Sequence, residues 1–327
     1  MNNMKKTVIA AAVAAIVAAP AVFAEATVYG KARVSIDSVD FKAAGGADGI
    51  YVSDRVSRIG VKGSEDLGDG MKAIFGMEWG VDLADTGALG ARNQFVGLSG
   101  GFGTVLAGRH DTPYKMVGSA DLFADTIADS QANTTGIIGR NGFDNRAANA
   151  VAYVSPSLNG WTILAAGVAG EKTTDPKANG LTDAISLGAT GAIGPVKVGL
   201  GYETFNKNLG SGTENKVAIK GDVKYSMGDL ALGLTYESSN ASYTTSDKDT
   251  GLLLSAAYSM GNNVLAVQYG NFDAKADGGD LTRVVVGLVH NFSKNTSAYV
   301  AYMSDDGKAA GDAADVTGVT FGLNTAF

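Results

Sequence analysis

Three aspartates, Asp121, Asp125 and Asp129, recur every fourth residue inside one long polar segment, residues 110–145. On a helical turn that spacing would put three carboxylates on one face. Leu122, Phe123 and Ile127 would then supply an apolar side able to pack on a wall. Cationic residues recur elsewhere in a different rhythm. Lys31 and Arg33 alternate with Val28, Ala32 and Val34, and Arg58 alternates with Ile59 and Val61. Arg92 falls on the face opposite Phe95, and Arg146 on the face opposite Val151 and Tyr153; Arg109 stands at the entrance to the long segment. Carboxylates facing cations across water can impose a field on passing solutes, but they carry out no covalent step. Covalent catalysis lacks its usual parts. There is no cysteine, hence no thiolate or disulfide chemistry. Of the two histidines, His110 opens the long segment and His290 shares the alternation of Val286 and Leu288. Neither lies in a triad context, and no phosphate-cradling glycine motif or cysteine-rich metal motif occurs. The reading is therefore not an enzyme, with no cofactor and no metal.

The elements that must hold these residues are strands. In Val196-Val198-Leu200-Tyr202, Leu230-Leu232-Leu234-Tyr236, Leu265-Val267-Tyr269 and Val300-Tyr302, every second residue is apolar and a tyrosine closes the run. The residues between are small or polar, such as Lys197, Gly199, Gly201 and Glu203. Strands put successive side chains on opposite faces, so one face is oily and the other wet. No long segment with helical periodicity is present to cover the oily face. Lipid can cover it, and roughly 9–11 tilted residues cross a bilayer.

The first 24 residues read as a secretory signal. Lys5 and Lys6 form the basic region, residues 7–19 the apolar one, and Val22-Phe23-Ala24 a cleavage site before Glu25. The expected organisation is a cleaved signal, 1–24, and one transmembrane barrel domain, 25–327. Losing Lys5 and Lys6 leaves 24 basic against 33 acidic residues, a mature charge of −9. That balance argues against nucleic acid as a partner. The five prolines fall in the signal, in loops or at turns, and none interrupts a strand.

Short turns at 67–70, 100–103, 157–160, 191–195, 227–229, 260–263 and 293–295 are rich in Gly, Asn, Asp and Ser. They alternate with longer polar segments at 39–52, 82–90, 110–145, 171–182, 204–215, 238–250, 273–280 and 304–315. Seven turns and eight loops separate sixteen strands. The expected fold is all-β: a 16-stranded antiparallel transmembrane β-barrel with short periplasmic turns and long extracellular loops. Tyr202, Tyr236, Tyr269 and Tyr302 would form the outer aromatic girdle, and Tyr153, Tyr225, Tyr258 and Phe292 the periplasmic one.

The chain resembles the trimeric general porins of Gram-negative outer membranes. The resemblance is carried by Tyr29-Gly30-Lys31, Arg58-Ile59-Gly60-Val61-Lys62-Gly63, Arg92-Asn93-Gln94-Phe95-Val96-Gly97-Leu98 and Gly108-Arg109. It ends with Val319-Thr320-Phe321-Gly322-Leu323-Asn324-Thr325-Ala326-Phe327. It implies a third loop folded into the lumen. Asp121, Asp125 and Asp129 of that loop would face a basic wall of Lys31, Arg58, Arg92 and Arg146, with Arg109 at its edge. The Pro-Glu-Phe-Gly-Gly loop tip of enterobacterial porins is absent. The resemblance further implies passive diffusion of ions and small hydrophilic solutes, a homotrimer, and contact with outer-membrane lipid and lipopolysaccharide. Phe327 would be the signal read by the barrel-assembly machinery. Inward charges lower down (Lys220, Asp222 and Lys224) would merely wet the channel. Acidic outer residues (Asp247, Asp249, Asp277, Asp280, Asp305 and Asp306) give an expectation of weak cation preference. The alternatives are a substrate-specific outer-membrane channel or a surface adhesin or receptor barrel.

Overall fold

The computed structural model describes residues 25–42, 48–131, 135–170, 180–210, 213–275, 279–307 and 315–327. The expected signal and Asp277 lie outside the described residues. The strands are β1 (Glu25–Phe41), β2 (Gly49–Asp54), β3 (Arg58–Gly68), β4 (Met71–Val81), β5 (Leu89–Gly100) and β6 (Gly103–Asp111). They continue as β7 (Arg146–Val154), β8 (Thr162–Val168), β9 (Ala184–Ile193), β10 (Val196–Phe205), β11 (Lys216–Met227) and β12 (Leu230–Ser239). The last are β13 (Asp249–Met260), β14 (Asn263–Asp273), β15 (Leu281–Asn291), β16 (Thr296–Gly307) and β17 (Val316–Ala326).

From β3 onward each strand pairs antiparallel with its neighbours in sequence, and β17 returns to β1. Both β2 and β3 pair with β1, through Val34↔Asp54 and Lys31↔Arg58. Together they form one crossing strand broken at residues 55–57, where Val56 adopts φ 60°. The sheet thus crosses sixteen times and closes, and a closed barrel leaves no edge unpaired. Arg33 stitches the break: its N–H donates to Ser57 Oγ at 2.9 Å and its carbonyl accepts from Arg55 N–H at 2.9 Å. The seven short turns lie where the sequence puts them. The loops expected at 39–52 and 304–315 are shorter, because β1 runs to Phe41, β2 starts at Gly49 and β16 runs to Gly307. Parts of six of the longer connections lie outside the described residues.

Alternation decides which face is which. Leu200, Tyr202, Leu232, Leu234, Tyr236, Leu265, Val267, Tyr269, Val300 and Tyr302 are exposed, while Gly201, Glu203, Thr235, Glu237 and Gln268 are buried inside. A protein in water would not expose such an apolar belt; a bilayer covers it. Of the eight girdle aromatics, seven are exposed and Tyr225 is half-buried.

The last residue closes the ring. Gly30 N–H donates to Phe327 O at 3.0 Å and Phe327 N–H donates back to Gly30 O at 3.1 Å. The Phe327 ring lies directly over Gly30, where a Cβ would come within 2.3 Å of it. The ring is itself 66% exposed on the apolar face.

Candidate functional site inside the barrel

The connection between β6 and β7 folds into the lumen. It begins with a single helical turn, α1 (Pro113–Met116), capped by Thr112, whose hydroxyl accepts from Lys115 N–H. Proline at the first helical position suits such a start. Beyond α1 the chain runs along the inner wall from β9 to β17. The wall makes room with glycines. A Cβ at Gly199, Gly201, Gly233, Gly287 or Gly318 would come within 2.5–3.0 Å of Val117, Tyr114, Ala120, Phe123 or Ile127, respectively. On the return path Ile137 occupies the space over Gly251 and Gly270.

Apolar clusters then seal the loop to the wall. Phe123 and Ala128 pack with Ala266, Val285, Ala301 and Met303. Ile137 and Ile138 pack with Leu253, Phe272 and Leu281. Wall side chains also hold its backbone: Thr235 Oγ1 accepts from Ala120 N–H at 2.7 Å and Gln268 Oε1 from Leu122 N–H at 2.8 Å. Glu237 accepts from Tyr114 Oη at 2.6 Å and from Gly139 N–H at 3.0 Å. Lys220 is buried, pairs with Asp144 at 2.9 Å and lies 4.4 Å from the Tyr114 ring centroid. It therefore holds the loop rather than wetting the channel, and Asp222 is likewise buried, accepting from Thr235 Oγ1.

The expected helical face of three aspartates does not form. Residues 118–131 are irregular, with Asp125 at φ 61°. Aspartate side chains compete with helical hydrogen bonding by accepting nearby backbone N–H groups. Asp121 accepts from Phe123 and Ser130, and Asp129 from Asp125 and Gln131. Both carboxylates thus fold the loop. Burial and the neighbouring Asp129 push the Asp121 carboxyl up to about 7. Asp125 alone reaches across, meeting Arg33 Nη1 at 2.7 Å. Of the apolar trio, Phe123 is buried, Ile127 is half-buried and Leu122 is exposed.

The other wall, β1 and β3 to β7, carries the cations. Lys31 and Arg58 are register partners. Glu78 of β4 meets Arg92 Nε at 2.5 Å and Arg58 Nε at 3.8 Å, and accepts from Tyr29 Oη at 3.1 Å. Arg146 pairs with Asp111 at 3.0 Å and donates to Asn93 Oδ1 at 2.7 Å. Arg33 adds Asn324 as an acceptor at 2.7 Å, and Arg55 pairs with Asp37. Arg109 sits at a break in the β6–β7 register, its Nε buried without a hydrogen-bond partner. Glu78 and Asp111 were not singled out from sequence. Glu78 alternates with Met77 and Trp79 as the cations alternate with their neighbours, so the same period would have found it.

A closed barrel with an apolar belt, polar lumen and inward loop is the architecture of a water-filled diffusion channel. A family model described as a Gram-negative porin matches residues 10–310. The chain belongs to this Gram-negative porin family. Its relatives include the major outer membrane protein P.IB of Neisseria gonorrhoeae, 30% identical and covering 91% of this chain and 92% of the relative. Outer membrane porin protein 32 of Delftia acidovorans is also 30% identical, covering 90% of this chain and 88% of the relative. The solved anion-selective porin from Comamonas acidovorans superposes with a TM-score of 0.80 at 25% identity, covering 93% of this chain and 100% of that one. OmpT of Vibrio cholerae in a trimer form shares the fold, with a TM-score of 0.71 at 18% identity, covering 93% of this chain and 99% of that one. The protein is an outer-membrane porin, a passive diffusion channel for ions and small hydrophilic solutes, and not an enzyme.

Proposed function

We propose that the gap between the inward loop and the basic wall is the selectivity constriction, and that it favours anions. The observation that carries this is the charge at the narrow section. Lys31, Arg33, Arg58, Arg92 and Arg146 are opposed there by Glu78, Asp111 and Asp125, while Asp121 and Asp129 are occupied by the loop's own N–H groups. The cations outnumber the acids that answer them. Charges at the mouth matter less, because screening is substantial beyond roughly 10 Å at 0.1 M salt. Some mouth acids are also neutralised: Asp305 binds Arg283 at 2.6 Å. Local charge thus replaces the expected mature-chain charge of −9 as the basis for selectivity, reversing the expected cation preference. The anion-selective relative from Comamonas acidovorans supports the same direction.

The test is a reversal potential in a planar bilayer under a potassium chloride gradient. The native channel is expected to favour chloride. Arg58→Ala/Arg92→Ala is expected to shift it toward cations and raise conductance, and Asp125→Asn to shift it toward anions. If neither variant moves the reversal potential, the constriction lies elsewhere. The proposal includes a homotrimer with three separate pores, supported by the trimer form of OmpT. It also includes lipid and lipopolysaccharide around the belt, and reading of Phe327 by the assembly machinery. A strictly monomeric species by light scattering in detergent would count against the trimer.

A further inference from the structure

Beneath the loop, near the periplasmic turns, two cavities meet at a pair of lysines. Lys197 of β10 and Lys224 of β11 are direct cross-strand partners with inward parity. Like charges directly opposite one another destabilise a sheet, and barrel closure does not require this pair. One cavity of about 210 Å³ is bounded by both lysines with Ser119, Ser226 and Ser255. The other, about 330 Å³, is bounded by the same lysines with Thr190. Each has room for several waters. The neighbouring inward positions Ala192, register partner of Lys197, and Ala231 carry small side chains that leave this space open.

Two acids also border these cavities. Asp222 stands 3.5 Å from Lys224 Nζ, and its other oxygen accepts from the Thr235 hydroxyl at 2.7 Å. Both Asp121 oxygens accept backbone N–H groups, from Phe123 and Ser130. Among the described residues Lys197 makes no salt bridge, and its side chain is exposed to the lumen. The two lysines and two aspartates balance formally, but Asp222 answers Lys224 and Asp121 is held by the loop's own N–H groups. Lys197 therefore faces the lumen without an acidic partner among the described residues, beside the hydroxyls of Ser226, Ser255 and Thr190.

We propose that Lys197 and Lys224 form an anion subsite on the periplasmic side of the constriction, suited to a small polyvalent phosphate-type anion. Two ammonium groups can share one divalent oxyanion, with the Ser226, Ser255 and Thr190 hydroxyls donating to its remaining oxygens. Chloride, with a single charge and no second oxygen, gains less. A phosphate-bearing solute that has passed the constriction would pause here before release. The proposal rests on the lumen being the conducting path.

Chloride currents through the full mature protein in a planar bilayer test it, with inorganic pyrophosphate added to one side or the other. Pyrophosphate is expected to reduce the native current, more strongly from the side nearer the lysines. Lys197→Gln/Lys224→Gln is expected to raise the half-blocking concentration about tenfold, while conductance in chloride alone changes by less than about twofold. Lys197→Gln alone alters an exposed side chain and guards against a folding failure; it is expected to raise the half-blocking concentration about threefold. Equal block in native and lysine variants overturns the subsite. So does block that Arg58→Ala/Arg92→Ala abolishes and the lysine variants keep, which would assign it to the constriction. A channel that conducts but is never blocked overturns the subsite alone, whereas a protein that does not conduct overturns the channel reading itself.

Discussion

Asp121 and Asp125 stand four residues apart and do different work. Asp125 projects its charge to Arg33, whereas Asp121 spends both oxygens inside the loop. Burial matters for the second. A carboxyl raised from its ordinary value near 3.8 to about 7 binds its proton more tightly in the folded loop than in the unfolded chain. Its contribution to stability is therefore full below pH 3.8 and is lost as pH rises through about 7. Thermal unfolding of the native barrel is expected to occur at lower temperature at pH 8 than at pH 5, and Asp121→Asn is expected to flatten that dependence. A native profile that rises across this window would show that another group dominates.

Strand and loop meet through absent side chains. The inward glycines of β10, β12, β13, β14, β15 and β17 let the loop lie against the wall. Gly287 is the clearest case, because its Cβ position is 2.5 Å from the Phe123 ring. Gly287→Leu would force Phe123 off the wall, and such overpacking costs about 1–3 kcal/mol. The strand itself retains its ladder with β14 and β16. The expected outcome is a folded barrel with a displaced loop, seen as altered single-channel conductance and weaker selectivity. Unchanged conductance would mean that the loop does not set the narrow section.

The whole molecule depends on one seam. β17 bonds to β1 from Val316 through Ala326, and Phe327 completes the join at Gly30. Deleting Phe327 removes two backbone hydrogen bonds and the ring that covers Gly30. The expected result is slower outer-membrane insertion with unfolded chains accumulating in the periplasm, measured by surface labelling and by heat-modifiable mobility on gels. Unchanged surface levels would reduce Phe327 to a girdle aromatic.

Crossings, turns, loops and girdles were legible from residues alone because their causes are local. Alternation sets faces over two residues, turn chemistry acts over four, and Leu200 or Tyr236 points outward whatever lies across the barrel. The inward parity of Lys31, Arg58, Arg92 and Arg146 was legible for the same reason. The path of the loop was not. Its carboxylates had a choice between a helical face and nearby N–H groups, and docking against strands distant in sequence accompanies the irregular form. The same holds for Lys220, which pairs with Asp144, and for Arg33, which meets Asp125 92 residues away. Barrel closure brings those groups together, and so the sign of the charge at the narrow section belongs to the tertiary structure: a sum over the chain counts every charge equally, whereas a solute in the lumen responds to the few that screening leaves within reach.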